Sequence, residues 1–369
     1  MIKTFLFAIS MMLSVAMTAS AQDFHRVTVM AFNAENLFDT EDDPANTGDD
    51  TYLPSAAKQA TPDHEAKCRA NNDSDFYRRQ CISLDWSEDV VTKKLNALAA
   101  VLKSASPLPD IVIMPETENL AIVERLNGAL PVDNRFPHIV QLDTTSVTED
   151  RGIDVAILSR FALSQPATSH PIDFGSNKEL CGGTRDIIEA PLALPDGKVL
   201  HVFGVHFPSG SNPLICRQHA AVELNRIRAL LPADAIAIAG GDFNFNCSES
   251  QGALFERFVR HGKWAVPPAV RAGCNEPGSN KHADRSFGTW FTWSYLDFFL
   301  VSENMLAEQP SNSGWFANLG SFRTLVGTGE QIEANSQGYL SPKRFDPGSG
   351  KGVSDHWPVM IDLVSRPEI

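Results

Sequence analysis

The run Ala237-Ile238-Ala239-Gly240-Gly241-Asp242-Phe243-Asn244 sets a carboxylate and a carboxamide two residues apart at the end of an alternating apolar segment. In extended backbone, positions i and i+2 share one face, so Asp242 and Asn244 project together. The acid can hold a water and the amide a negative oxygen, which are two demands of phosphoryl transfer. Gly-Gly-Asp also occurs in ordinary strand-to-loop turns, so the pair gains meaning only from the groups around it.

Three more apolar runs end on a polar side chain: 27–32 at Asn33, 111–114 just before Glu116, and 199–205 at His206. Two others begin with one: Asp297 opens the run through 301, and Asp355-His356 precedes 357–364. If these last two strands run antiparallel to the rest, all the side chains meet at one edge of the core, where function-bearing loops are expected. Singly, Asn33 and Glu116 read as cap or turn residues, Asp297 as a turn acid and His356 as a hydrogen-bonded strand-edge histidine. Together they form a hard-cation site beside two imidazoles. Oxygen donors such as Glu116, Asn33 and Asp355 suit Mg2+, Mn2+ or Ca2+ rather than zinc.

The elements that must position these groups alternate between strand and helix. Helical spacing covers 87–102, with Ser87 as N-cap, and 216–231, and a short helix follows the Glu116 strand through Leu126. Segment 39–85 is polar, and its acidic run 41–50 lacks the ligand spacing of a calcium loop, so it reads as a solvated loop. Residues 307–352 read as loop-rich. No repeat, low-complexity block or linker interrupts the chain, which favours one domain over 22–369.

The blocks Phe32-Asn33-Ala34-Glu35-Asn36-Leu37-Phe38-Asp39, Pro115-Glu116, Arg151-Gly152-Ile153-Asp154, His206-Phe207-Pro208-Ser209, Gly241-Asp242-Phe243-Asn244, Leu296-Asp297 and Ser354-Asp355-His356 resemble, in order, those of the endonuclease/exonuclease/phosphatase superfamily. The nearest resemblance is to exported bacterial members that share the Glu-Asn-Leu-Phe-Asp opening. The resemblance implies a four-layer α/β sandwich (two packed mixed β-sheets with helices outside) and metal-assisted cleavage of a phosphate ester. By position it implies Glu116 as principal metal ligand, with Asn33 and Asp355 close to the ion. It gives Asp242 the attacking water and Asn244 a phosphate oxygen. His356 would contact phosphate with Asp297 orienting it, and His206 would assist the leaving group. Glu35 is open between a second carboxylate near the metal and a structural role. Pro115, Val205 and Phe298 depart from common neighbours of these blocks, which bears on substrate more than on activity.

Composition bounds the rest. The 369 residues are 43% hydrophobic and 21% charged, with ample material for a core. Segment 1–21 reads as a secretory signal: Lys3, an apolar stretch, then Ala19-Ser20-Ala21 as a small-residue cleavage site. Export to the periplasm or the exterior is therefore expected, with no membrane span. Six cysteines, none in a Cys-x-x-Cys pattern, suit disulfides; the simplest pairing joins sequence neighbours, and the alternative is a mixture of free core thiols. A net charge of −14 argues against diffuse adhesion to nucleic acid, although a metal-based catalytic site needs no basic surface. A monomer acting on nucleic acid is the favoured expectation, with a phosphorylated lipid or small phosphoester as alternative substrate. Arg185, Arg217, Lys343, Arg344 and Lys351 could face the site, but each reads first as a solvated charge. The aromatic run 290–295 reads as buried packing before a base-stacking or lipid-touching surface.

Overall fold

The strands that lead to the site are apolar on both faces, as strands sandwiched between two layers must be. The structure, a computed structural model, describes residues 25–43, 46–72, 74–142, 151–272, 277–282, 292–308, 314–334 and 340–365. The expected signal segment 1–21 lies outside the described residues. In chain order the strands are β1 (Arg26–Ala31), β2 (Ile111–Thr117), β3 (His138–Val140), β4 (Asp154–Ser159), β5 (Thr168–His170), β6 (Ile187–Ala193), β7 (Val199–His206) and β8 (Ile236–Asp242). They continue as β9 (Trp264–Ala265), β10 (Asn280–His282), β11 (Thr292–Ser294), β12 (Asp297–Ser302), β13 (Trp315–Thr324), β14 (Ile332–Ala334), β15 (Leu340–Pro342) and β16 (Val359–Ser365). The helices used below are α1 (Ser55–Ala60), α2 (His64–Asn71), α3 (Asp75–Ser83), α4 (Glu88–Ser104), α5 (Leu120–Gly128), α6 (Lys178–Cys181), α7 (Leu214–Leu230), α8 (Cys247–Ser250) and α9 (Ala253–His261).

Two six-stranded mixed sheets, ordered β13-β16-β1-β2-β4-β3 and β5-β6-β7-β8-β12-β9, pack face to face. Helix α4 buries Val91, Leu95, Leu98 and Leu102 on the outer face of the first sheet, against Val112 and Met114. Helices α7 and α9 cover the second with Ala220, Leu224, Phe255 and Phe258. This is the expected α/β sandwich.

Gly240 sets the spacing between the layers. A Cβ there would lie 2.7 Å from the Phe299 ring and 2.8 Å from Ile113 of the opposite sheet, so any side chain would push the layers apart. Its neighbour Gly241 has φ +125, and a Cβ would sit 2.2 Å from the Val205 carbonyl oxygen. Gly240 is therefore a steric requirement of the packing between the sheets, and Gly241 of the β7–β8 approach.

The orientation needed at the site edge is present. β1 and β2 are parallel, as are β7 and β8, whereas β12 runs antiparallel to β8 and β16 antiparallel to β1. Disulfides join Cys68 to Cys81 and Cys181 to Cys216, two of the neighbour pairings expected. Cys247 is also disulfide-bonded, and Cys274 lies outside the described residues.

Two stretches differ from expectation. The acidic run is not a solvated loop throughout: Asp49 and Asp50 are buried in a 3-10 turn (Asp49–Tyr52). That turn, with α1, α2 and α3, folds into a helical insertion that the Cys68–Cys81 bond ties together. Lys58 is its buried hub, donating to the carbonyls of Thr51, Cys81 and Leu84. Its composition hid this, since most of its polar side chains face water and only a few, Lys58 among them, turn inward onto backbone carbonyls. The loop-rich stretch 307–352 contains β13, whose glycine, asparagine and serine suppress a strand signal but are tolerated at a sheet edge. Of the aromatic run, residues 290 and 291 lie outside the described residues, while Trp293 stacks on Trp357 and Tyr295 is buried. No helix among the described residues is long and apolar enough to cross a membrane.

Candidate active site

Strand β2 does not end smoothly. Its pairing with β4 shifts between Pro115 and Thr117, and Glu116 between them has φ +64. This bulge re-aims Glu116, and a bulky residue holds a left-handed conformation only when its surroundings fix it. The fixing contacts are the Asn36 N–H, 2.9 Å from Oε2, and the Asn33 amide, whose Nδ2 is 3.2 Å from Oε1.

The same Asn33 Nδ2 lies 3.2 Å from Asp242 Oδ2, so one buried amide links the ends of β1, β2 and β8. Its own oxygen accepts the Glu35 N–H at 2.9 Å, which turns the amide N–H groups toward the two acids. His206 Nε2 stands 3.8 Å from Glu116 Oε1 and 3.7 Å from Asp242 Oδ2. From the opposite strand direction, Asp297 Oδ2 holds His356 Nδ1 at 2.5 Å, and His356 Nε2 faces Asp242 Oδ2 at 3.9 Å and Asp355 Oδ1 at 3.8 Å. Asn244, with φ +55, folds beneath this group, its Nδ2 donating to the Phe207 carbonyl at 3.0 Å and its N–H to Asp242 Oδ1 at 2.9 Å. All eight residues expected from sequence thus gather at one edge.

Their electrostatics diverge. Burial and the nearby Asp297 lift the Asp242 carboxyl to about 7, with Glu116 adding to the effect. Burial also opposes ionisation of Glu116, yet His206, Arg151 and Arg185 outweigh it and hold that carboxyl at about 2. The arginines carry this effect at neutral pH, because burial and Arg185 push His206 well below its ordinary value and leave it uncharged. Burial works against a charged His356 as well, but Asp297 wins through charge and hydrogen bond and raises it well above the ordinary value. The site therefore holds one neutral and one cationic imidazole, the first beside arginines and the second locked to an acid.

The donor chemistry fits a hard divalent cation. Glu116 stays ionised, and on the opposite side of the edge Asp355 offers a carboxylate whose Oδ1 is 3.8 Å from His356 Nε2. Asp242, Asp297 and His356 also offer atoms within 4.8 Å of one another and form a candidate cation-binding group, to which His356 contributes a lone pair only once deprotonated. The other grouping of ligand types, His64 with Cys68 and Cys81, is closed by the disulfide and lacks thiolates.

Several functional neighbours were underweighted or missed in sequence. Arg185 is buried beside the site and acts on both Glu116 and His206. Arg151, also at positive φ, brings Nη2 to 4.0 Å from Glu116 Oε1. Its place in the Arg-Gly-Ile-Asp block was the available signal. Arg344 is not simply solvated: its Nε is 2.8 Å from Glu35 Oε1 and its Nη2 2.7 Å from Asp355 Oδ2. Arg217 is structural, buried and paired with Glu249 at 2.6 Å while donating to the carbonyls of Pro208 and Ser209 after β7. Lys343 pairs with Glu330 at 3.7 Å, and Lys351 is exposed. The insertion contributes Tyr52, whose ring stacks on Phe38 at 4.1 Å and whose hydroxyl is pushed well above its ordinary value by burial.

No curated protein matches the sequence. Solved structures of similar fold include an endonuclease/exonuclease/phosphatase family protein from Bacteroides thetaiotaomicron (14% identity, TM-score 0.52, 93% of this chain and 99% of that one). TDP2 from D. rerio complexed with a single-strand DNA product is similar at 12% identity and TM-score 0.51, over 92% and 98% of the two chains. A mannosyl-6-phosphatase from Bacteroides thetaiotaomicron VPI-5482 is similar at 15% identity and TM-score 0.51, over 91% and 99%. At these identities the likeness is one of fold. The family model described as Endonuclease/Exonuclease/phosphatase family matches residues 91–356, which is more than half of the chain and runs from α4 through His356. With its fold, its carboxylate–imidazole edge and this match in agreement, the chain belongs to the endonuclease/exonuclease/phosphatase family.

Proposed function

We propose that the protein is an exported, metal-dependent phosphoesterase whose substrate is a nucleic-acid phosphodiester. The observation that carries this reading is the Asn33 amide, 3.2 Å from both Glu116 and Asp242, which couples the cation-binding acid to the water-binding acid. Glu116 and Asp355 would hold a Mg2+, Mn2+ or Ca2+ ion, with Asn33 orienting Glu116. When bound, the ion supplies Lewis-acid charge to a phosphoryl oxygen.

This chain's residues supply the rest. Asp242, raised toward 7, takes the proton of a water aimed at phosphorus. The new P–O bond forms as the bond to the leaving oxygen breaks. His356, cationic and fixed by Asp297, stabilises charge on a non-bridging oxygen. Asn244 steadies Asp242 through its N–H and offers its amide to the same phosphate. His206 is neutral, so it acts as a hydrogen-bond donor to the leaving oxygen rather than as a strong acid.

A sugar–phosphate backbone is favoured because two exposed arginines, Arg151 at 57% and Arg344 at 66%, flank the acids and could contact phosphates adjoining the scissile one. Export is supported by disulfides, which persist in oxidising compartments. A panel of plasmid DNA, RNA, sphingomyelin, inositol phosphates and a bis-aryl phosphodiester, assayed with Mg2+ or Mn2+, tests the substrate. Polynucleotide cleavage is expected; turnover of lipid or sugar phosphate without polynucleotide cleavage would overturn the nuclease reading.

A further inference from the structure

Arg344 sits in a turn whose backbone is held from several sides. Phe345 is buried edge-on to Trp86 and beneath the Lys94 ammonium, 5.1 Å from its ring centre. The Asp346 and Val353 N–H groups close the turn on the Lys351 and Lys343 carbonyls at 2.7 and 2.9 Å. Gly352, at φ +82, allows this closure, because a Cβ there would lie 1.8 Å from the Arg344 carbonyl oxygen. The side chain leaves this rigid base and turns inward. Its Nε lies 2.8 Å from Glu35 Oε1 as an ion pair and donates to Asp355 Oδ2 at 3.2 Å, and its Nη2 donates to Asp355 Oδ2 at 2.7 Å.

The two acids it joins are close and of like charge. Glu35 Oε2 accepts the Phe345 and Asp355 N–H groups at 3.2 and 3.1 Å, so the Glu35 carboxylate is built against the Asp355 backbone. Glu35 lies two residues from Asn33, and Asp355 adjoins His356. A pair of carboxylates at this position is satisfied either by a cation from the chain or by one from solution. The chain supplies its own.

We propose that Arg344 is a resident cation on the Glu35–Asp355 pair, and that divalent-ion binding at Asp355 requires its guanidinium to leave. The proposal rests on the functional reading above, in which Asp355 is a ligand. The guanidinium is 66% exposed, so it can swing into solvent, and the buried Glu35 it leaves still has the Lys94 ammonium within electrostatic reach. An oxygen already accepting two N–H bonds has little lone-pair density to offer a metal, and a fixed positive charge repels the arriving ion.

The test is calorimetric titration of chelator-treated protein with Mn2+, comparing wild type with Arg344→Gln, together with a thermal melt showing that the variant is folded. At least fivefold tighter Mn2+ binding in the variant is expected, or a second equivalent bound. Unchanged or weaker binding overturns the proposal. A measurement on the wild type alone guards against a variant that does not fold: the Arg344 Nε–H resonance should shift and exchange faster with water on adding Mg2+. A resonance unmoved at saturating Mg2+ overturns the proposal as well. If the wild type binds no Mn2+ at all, the metal-dependent function itself fails, which is distinct from a wild type that binds while Arg344→Gln changes nothing.

Discussion

His356 and Asp297 are 59 positions apart in sequence, yet Nδ1 and Oδ2 meet at 2.5 Å, pinning the loop before β16 in one sheet to the first residue of β12 in the other. The contact fixes the ring and keeps it cationic. Asp297→Asn is expected to keep the fold and reduce kcat/KM by roughly 10²- to 10³-fold, the usual loss of a charge stabiliser. The His356 ring titration, followed by NMR, should move to lower pH in the variant.

Lys94 is wholly buried in α4, donates to the Val353 carbonyl at 2.6 Å, and lies within electrostatic reach of Glu35, Asp355 and Glu116. Burial lowers its ammonium to about 8. Lys94→Met should destabilise the protein by about 3 kcal/mol, the low end for a buried charge that loses its partner, since Arg344 still faces Glu35. Denaturant unfolding of Lys94→Met, Glu35→Gln and the double variant measures the coupling. The double variant is expected to be more stable than the sum of the single losses implies.

Far from the site, Glu189 on β6 accepts from His170 at 3.0 Å and His201 at 2.7 Å. Burial opposes its ionisation, but the two histidines win and hold the carboxyl at about 2, below its ordinary 4.5. A depressed acid stabilises the fold above its unfolded value and loses that contribution as pH falls toward the folded one. The contribution is therefore complete above about 4.5 and fades between there and about 2. Glu189→Gln should cost about 1.5–3 kcal/mol at neutral pH, the range for hydrogen bonds to a charged group. The gap in melting temperature between variant and wild type should close as the solution is acidified through that window.

The site edge was legible because period-two apolar runs mark strands and a polar residue at a run's end marks the rim. Asn33, Glu116, His206, Asp242, Asn244, Asp297, Asp355 and His356 follow from that pattern alone. The bulge at Glu116 was not legible, since nothing local distinguishes Pro115-Glu116-Thr117 from a plain strand end. Nor were the roles of Arg185 and Arg344, which depend on contacts with residues distant in sequence. Nor does sequence single out Lys58 or Lys94, whose ammonium groups are buried against carbonyl oxygens.

Asp242 combines a costly environment with a central task. Its raised carboxyl means that the metal-free fold favours the protonated acid. Asp242→Asn should therefore leave the melting temperature of the metal-free protein unchanged or higher near neutral pH. Adding Mg2+ or Mn2+ should raise the wild-type melting temperature, because the ion binds only the folded state.

The central claim is that Asp242 and a divalent ion together hydrolyse a phosphodiester, and the rate of plasmid nicking with Mg2+ or Mn2+ tests it most directly. The account predicts nicking by the wild type, its loss on chelation, recovery on restoring the ion, and a drop of roughly 10²- to 10⁴-fold in Asp242→Asn. Nicking that survives thorough chelation, or full activity in a folded Asp242→Asn, would contradict it.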